Sequence, residues 1–424
     1  MKRIHYGTLV TMSVIGVISA NAQADSLQDA IKGGTFSGEL RNTLELATKS
    51  DATAAGAFNN AKVLGSALTL DYLTGPYYGF KVGVGSETGY DWKLQDNDTL
   101  TTSGGENDHR DTVNTTNLYR AFLDYRFRKE ITDTHIRIGR QGIVSPLLMN
   151  SGVYPMKDSF DAAVLENKDI QNTLLRVMYV TKWNMRYGDD NNGSLTQTSK
   201  SYHNPVVSLY MDNKSIKGLN IEAQWLANHN DENAGDPPTA VTAKDYDTSF
   251  LGLTYKVLDT NWVVGAKTLS ANFENSANTG YWGALVKNIF NGIGVQLGYT
   301  SVQDAASFPG TLGHVPMFRA YNPGLQGEYY AGLKTTSIAA DYGFHIPGFK
   351  TTIGYTSWQQ SAQGIKHSRG TDLDGGYEAS LRVDYKSQDI KGLSALMQLS
   401  YMNYNQNVPE DSLTVLRTSV NYQF

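Results

Sequence analysis

The stretch Leu416-Arg417-Thr418-Ser419-Val420-Asn421-Tyr422-Gln423-Phe424 alternates with a period of two. Leu416, Thr418, Val420, Tyr422 and Phe424 fall on one face, and Arg417, Ser419, Asn421 and Gln423 on the other. Successive side chains of a pleated backbone point to opposite sides, so this pattern predicts a strand with one apolar face and one polar face. The pattern recurs upstream. Leu219, Ile221, Ala223, Trp225 and Ala227 alternate with Asn220, Glu222, Gln224 and Asn228. Tyr377, Ala379, Leu381, Val383 and Tyr385 alternate with Glu378, Ser380, Arg382 and Asp384, and Leu393, Ala395, Met397, Leu399 and Tyr401 form a further apolar row.

About eighteen such segments can be marked, each near the ~10 residues that a tilted membrane strand needs. They centre on Leu40, Leu68, Val82, Leu123, Ile138, Ala163, Val177, Leu209, Ala223, Leu253, Val264, Leu285, Val295, Ala340, Ile353, Leu381, Met397 and Val420. Their connections alternate in length. Thr74-Gly75-Pro76, Asp212 to Lys217, Leu258 to Asn261, His345 to Gly348 and Lys386 to Lys391 are short. Asp91 to Asn114, Tyr187 to Asn204, His229 to Asp245, Ser301 to Lys334 and Gln359 to Asp374 are long and polar. Short periplasmic turns alternating with long extracellular loops describe a single all-β domain, a transmembrane antiparallel barrel of about eighteen strands. A soluble sandwich has no reason to alternate so regularly.

The N-terminus fits a chain exported to reach that membrane. Lys2 and Arg3 precede an apolar run from Leu9 to Ala20, and Ala20-Asn21-Ala22-Gln23-Ala24 offers two overlapping A-x-A sites. Residues 1–24 are expected to be a cleaved signal peptide, because the run is too short to span a bilayer as a helix. Residues 25–424 are then the barrel domain. No later apolar run approaches helical-span length, and mean hydropathy is −0.38. A barrel hides this way because only every second strand residue faces lipid. The absence of cysteine excludes disulfides and thiolate sites. A net charge of −5 argues against a nucleic-acid partner.

The aromatic residues suggest a direction. If the first strand rises from the periplasm, the lower strand ends carry Tyr72, Tyr125, Phe127, Tyr255, Tyr342, Phe344, Tyr385 and Phe424. The upper ends carry Trp183, Trp225, Tyr299, Tyr355 and Tyr401. Two rows at two interfaces are where amphipathic rings sit best.

The final Tyr422-Gln423-Phe424 resembles the C-terminal assembly signal of Gram-negative outer-membrane proteins, which implies a barrel-assembly machinery as partner. Arg137-Ile138-Gly139-Arg140-Gln141, then Ser145-Pro146-Leu147-Leu148, then Phe160, resembles the OprD-type porins. In that family a Gly-Arg-Gln strand end leads into a Pro-Leu-Leu loop and a Phe-started strand. The resemblance implies an eighteen-stranded porin, a constriction loop over Ile143 to Ser159, and a ladder of basic residues guiding carboxylate-bearing solutes. Two features depart from it. Asn150-Ser151-Gly152-Val153-Tyr154-Pro155-Met156 replaces the usual Asp-x-Arg-Met run, and Asp161-Ala162 replaces the Gly after Phe160.

The inward register supplies Arg41, Arg120, Arg126, Arg137, Arg176, Lys182, Lys267, Arg382 and Arg417, with Glu39, Glu45, Asp71, Asp124, Glu222, Asp341, Glu378 and Asp384. Such charges either line a selective path or pair across strands and brace the wall. Arg137, Arg140 and Gln141 flank the loop and lead the selectivity candidates; Arg140 has outward parity unless a bulge turns it. No H-E-x-x-H or G-x-S-x-G is present, so no enzyme, cofactor or metal is expected. Acidic runs such as Asp189-Asp190 and Asp372-Leu373-Asp374 lack EF-hand spacing and fit solvated loop tips. The expected function is passive passage of small hydrophilic solutes, with some preference for anionic ones, across the outer membrane of a Gram-negative bacterium. Outer-membrane lipid is the surrounding partner. Porins are often trimers, but no patch on the apolar face marks one. The alternative is a non-conducting structural or adhesive barrel. The loop from Ile143 to Ser159 discriminates, since a porin folds it inward.

Overall fold

The computed structural model describes residues 24–49, 61–92, 94, 116–150, 155–188, 197–230, 245–274, 277–308, 312, 317, 330–361, 373, 375–405 and 412–424. The expected leader lies outside them but for Ala24. A short helix, α1 (Leu27–Lys32), precedes the strands. These are β1 (Thr35–Lys49), β2 (Ala61–Leu73), β3 (Phe80–Asp91), β4 (Thr116–Arg126), β5 (Thr134–Gln141), β6 (Ser159–Asn167), β7 (Thr173–Gly188), β8 (Gln197–Asn213) and β9 (Leu219–His229). The second half holds β10 (Asp245–Lys256), β11 (Val263–Phe273), β12 (Thr279–Phe290), β13 (Ile293–Val302), β14 (Leu333–Tyr342), β15 (Phe349–Gln360), β16 (Gly375–Lys386), β17 (Leu393–Asn405) and β18 (Ser412–Gln423).

Each strand pairs antiparallel with its neighbours in sequence, and β1 closes the ring on β18 from Glu39↔Gln423 to Lys49↔Leu413. All eighteen expected strand centres fall in separate strands. Leu40, Leu68, Ile138, Leu297, Ile353 and Val420 stand exposed on the outer face. A continuous apolar belt of this kind is stable only against lipid. Residues of opposite parity, such as Glu45, Thr69, Gln224 and Arg417, are buried on the inner side.

The seam is locked at its lower end. Phe424 and Gly38 exchange both backbone hydrogen bonds, at 2.9 and 3.0 Å. The Phe424 ring lies on Gly38, where a Cβ would stand 2.3 Å from Cζ. Glycine makes that close approach possible.

The sequence pattern gave no sign of α1. Ser26 caps it, accepting from the Asp29 N–H at 3.1 Å and donating to its carboxylate at 2.6 Å. The helix is tied to the β2–β3 turn through Gly75 N–H, which donates to Ala30 O at 2.8 Å. It marks the end of the barrel with short turns.

Two local departures change which side chains face the lumen. In β7, Ala162 lies opposite Val180 and Asp161 opposite Lys182, leaving Thr181 as an extra residue. One extra residue inverts the alternation beyond it. Lys182, expected inward, therefore shares the outward face with Asp161. Trp183, expected in the outer aromatic row, turns inward, where it is buried and stacks on Phe160 at 6.3 Å. In β4 the irregularity opposite Gly85 and Ser86 leaves Tyr119 unpaired, so that Tyr119 and Arg120 both reach Asp71. The expected loop from Tyr187 to Asn204 is also shorter, because β8 begins at Gln197 and pairs with the upper part of β7. Its polar composition concealed this strand pairing.

Candidate functional site

β5 and β6 are the shortest strands of the wall, and the described parts of the segment between them, 142–150 and 155–158, fold into the barrel. Ile143, Ser145, Leu147, Leu148, Met156 and Asp158 are all buried, and Leu148 has no exposed surface. The Ser145 N–H and Oγ both donate to Leu148 O, at 2.7 and 3.0 Å, closing a tight turn around Pro146 and Leu147.

The loop is fastened at two places. On β9, Gln224 Oε1 accepts from the Leu147 N–H at 2.8 Å, while its Nε2 donates to Ser145 Oγ at 3.0 Å and to Ser208 Oγ at 2.8 Å. Close by on β7, Arg176 donates to Val144 O at 2.8 Å. The second fastening is on β1–β3. The Lys157 N–H donates to the buried Glu87 carboxylate at 2.9 Å, and Lys157 Nζ pairs with Glu39. Glu87 also accepts from Thr69, at 3.0 Å, and Glu39 from Arg41, at 2.8 Å. Met156 packs on Ala67 of β2. β1 and β9 stand eight places apart in a ring of eighteen, so the two fastenings lie on nearly opposite walls.

A second segment meets it. Leu312, between β13 and β14, bridges Leu148 in parallel fashion: its N–H donates to Leu147 O at 3.1 Å, and Met149 N–H donates to Leu312 O at 2.9 Å. Leu312 and the nearby Phe308 are buried. Sequence reading placed Ser301 to Lys334 wholly among the outer loops. Nothing in its composition announces that Leu312 returns inward.

The basic candidates divide into paired and open groups. Arg41 bonds Glu39, Arg120 lies 3.3 Å from Asp71, and Arg137 lies 2.9 Å from Asp124. Arg176 pairs with Glu166 at 2.6 Å, Arg382 with Asp384 at 2.6 Å, and Arg417 with Glu45 across the seam at 2.6 Å. Arg126 is exposed and makes no ion pair with a described residue. Gln141 is 2 % exposed and donates to Ala162 O at 3.0 Å, so it pegs the loop base rather than facing solute. Arg140 keeps its outward parity. It shares a face of β5 with Ile136 and Ile138 and forks onto Asp161 at 2.7 and 3.1 Å, so it does not line the lumen.

The lower wall of β3–β5 is different. Lys81, Asp124 and Arg137 stand in one row across three strands, with Arg120 and Arg126 on the same inner face of β4. Four cations there face two carboxylates, Asp71 and Asp124. The Arg137 guanidinium also lies over the Phe122 ring at 4.2 Å.

Of the residues that fasten the loop, Glu39, Arg41 and Arg176 were legible only as inward charges, and Glu87 and Lys157 went unremarked. Glu87 has the same inward parity as Gly83 and Gly85, and alternation alone locates it. Gln224 was assigned the inward face, but no motif gave it a task. Lys157 lies between Met156 and Asp158 in the segment that departs from the family pattern.

No family model and no curated protein matches the chain by sequence. Solved structures match it closely in shape. OccK9 (OpdG) of Pseudomonas aeruginosa aligns with a TM-score of 0.71 at 15% identity, covering 93% of this chain and 99% of that one. OccAB4 of Acinetobacter baumannii aligns at 0.69 and 14%, covering 96% and 100%. OpdK of Pseudomonas aeruginosa, in a structure with vanillate, aligns at 0.69 and 13%, covering 93% and 99%. At these identities the likeness is one of fold, and it extends over nearly the whole of each chain. The chain has the eighteen-stranded fold of the OprD/Occ-type outer-membrane porins.

Proposed function

We propose that this barrel is an outer-membrane porin through which small hydrophilic solutes diffuse passively. One observation carries the proposal: the described parts of the loop between β5 and β6 lie inside the barrel and are fastened near opposite walls, Leu147 by Gln224 and Lys157 by Glu39 with Glu87. A structural or adhesive barrel has no need of a fastened internal loop. An eighteen-stranded ring is wide enough to leave an aqueous path beside the apolar cluster packed around the loop, and a loop across it sets the bore.

The finer preference, for anionic or carboxylate-bearing solutes, rests on the β3–β5 wall. Its surplus of cations over carboxylates offers weak, successive anion sites, and weak repeated binding is what permeation requires. Vanillate, the molecule in the OpdK structure, is a carboxylate. The paired arginines elsewhere limit the preference to a modest one. Tyr422 and Phe424, exposed on the outer face of β18, serve in this proposal as the assembly signal.

Reconstitution of the mature protein in planar bilayers tests both parts. Discrete conductance steps are expected, with a reversal potential displaced toward the anion equilibrium. A folded barrel without steps overturns the channel. A cation-selective reversal potential overturns only the anion preference.

A further inference from the structure

Every short connection at the α1 end presents a large apolar side chain to solvent. Ile131, Ile170, Ile216, Leu258, Ile346 and Ile390 do so in six of the turns, and Tyr78 and Phe290 in the remaining two. Single exposed apolar residues are ordinary on any surface. The same feature at all eight turns of one rim calls for a physical cause.

Four of these turns repeat one design. Ile170, Ile216, Ile346 and Ile390 each accept, through the carbonyl, from the N–H three residues on, at 3.0 to 3.1 Å. The third residue of each turn, Asn172, Gly218, Gly348 or Gly392, has φ between +55 and +91. That residue's carbonyl then accepts from the base of the next hairpin, at Lys214, Lys256, Lys386 or Gln423, at 2.8 to 3.1 Å. A Cβ at Gly392 would stand 2.0 Å from Gln423 O, so both the conformation and the closeness demand glycine there. Each of these four turns is laced to its neighbour on the rim, and the four isoleucines are held at 51 to 56 % exposure on a rigid support.

Charges of both signs stand beside the tips: Glu130, Asp169, Asp259 and Asp389 adjoin Ile131, Ile170, Leu258 and Ile390, and Lys168 and Lys214 pair with Glu166 and Asp212. Lys168 precedes Ile170, Lys214 and Lys217 flank Ile216, and Lys391 follows Ile390. Arg128 and Lys129 precede Ile131, and Lys256 precedes Leu258. The apolar belt of the outer wall runs down to this rim through Tyr385, Tyr422 and Phe424, all exposed. Aliphatic tips flanked by charges of both signs, continuous with a lipid-facing wall, suit the zwitterionic headgroup layer of a phospholipid leaflet. The aliphatic group reaches the glycerol–acyl boundary and the cation meets phosphate.

We infer that the turn collar is a phospholipid-seating ring, which rests in the headgroup layer of the leaflet at this end and fixes the depth of the barrel. This role does not depend on conduction.

The cysteine-free chain permits a direct test. Single variants Ile216→Cys, Ile346→Cys and Ile390→Cys carry a nitroxide label in vesicles of phosphatidylethanolamine and phosphatidylglycerol. Ile353→Cys in the belt and Ala305→Cys, exposed beyond β13 at the opposite end of the barrel, are the lipid and water controls. The ratio of oxygen to water-soluble nickel-chelate collisions is expected to shift from the Ala305 value toward the Ile353 value at all three sites. Ratios equal to the Ala305 control overturn the inference. A combined Ile→Ser variant at 170, 216, 346 and 390 is expected to lose thermal stability in vesicles but not in micelles. Equal loss in both assigns the isoleucines to folding alone and also overturns it. Conductance of the same preparations separates the two proposals: lipid-seated labels on a silent barrel sink the channel and leave the collar.

Discussion

The inward loop between β5 and β6 is held by different chemistry at its two fastenings. At β9 the clamp is a neutral amide, and every polar atom of Gln224 meets a neutral partner. At β1–β3 the clamp is charged, with Lys157 and Arg41 set among Glu39 and Glu87. A neutral clamp loses only its hydrogen bonds when broken. A charged clamp leaves buried carboxylates short of a counter-charge, which is the more costly failure. The loop is therefore expected to release first at the amide end under mild stress, and to destabilise the whole wall when the ionic end is removed.

Four measurements break or sharpen that contrast. Lys157→Met deprives Glu39 of its second cation in a mostly buried site. A loss of about 3 kcal/mol in urea unfolding is expected, with a larger and noisier single-channel conductance. Unchanged stability would show that the ionic end is not the stronger anchor. Gln224→Ala strands the Leu147 N–H and removes a donor from the Ser145 and Ser208 hydroxyls, which still donate to Leu148 O and Trp225 O, and about 2 kcal/mol is expected. Its conductance should rise without the same loss of unfolding cooperativity. If Gln224→Ala proves the costlier variant, the contrast is reversed. Arg137→Gln tests the open basic wall rather than the clamps. About 1 kcal/mol is expected, since a third of the side chain is exposed and water screens the pair. The reversal potential should move toward the cation side, and no movement would remove Arg137 from the selectivity path.

The smallest effect concerns a turn far from the loop. Asp169 accepts from Thr132 Oγ1, the Asp133 N–H and Asn167 Nδ2, at 2.6 to 2.7 Å, and these bonds hold its carboxyl below the usual range. A lowered native pKa stabilises the fold at pH above the unfolded carboxylate value, and that contribution is lost as pH falls through the native one. Asp169→Asn should flatten the acid limb of the stability profile slightly and leave neutral pH nearly unchanged. An identical acid limb in the variant would show that the bracket between the two turns is incidental.

The barrel itself was legible because a membrane imposes one rule on every strand. Each of the eighteen segments had to show lipid one face, and period-two alternation records that directly. The interior obeys no such rule. Lys182 and Trp183 were assigned to the wrong faces because Thr181, the residue that inverts the pattern, is chemically unremarkable in a strand. Leu148 belongs to a recognisable Pro-Leu-Leu segment, yet its partner Leu312 lies in a stretch with no pattern at all. Arg137 could be placed on the lumen by parity, but whether Asp124 would neutralise it depends on a register that sequence does not print. The helix α1 was overlooked because six residues carry too little periodicity to stand out, although the Ser26–Asp29 cap was readable.

The seam between β1 and β18 has a kinetic meaning. The Arg417–Glu45 pair joins residues 372 positions apart. Bringing such ends together costs an open chain about 5 kcal/mol of configurational freedom before any contact repays it. Every other strand pair forms between chain neighbours at far smaller separation. Closure is then the last and slowest pairing, and the intermediate before it exposes two unsatisfied strand edges. The ion pair and the Phe424–Gly38 bonds stand where they oppose the reverse step, so they govern how long a finished barrel lasts more than how fast one is made.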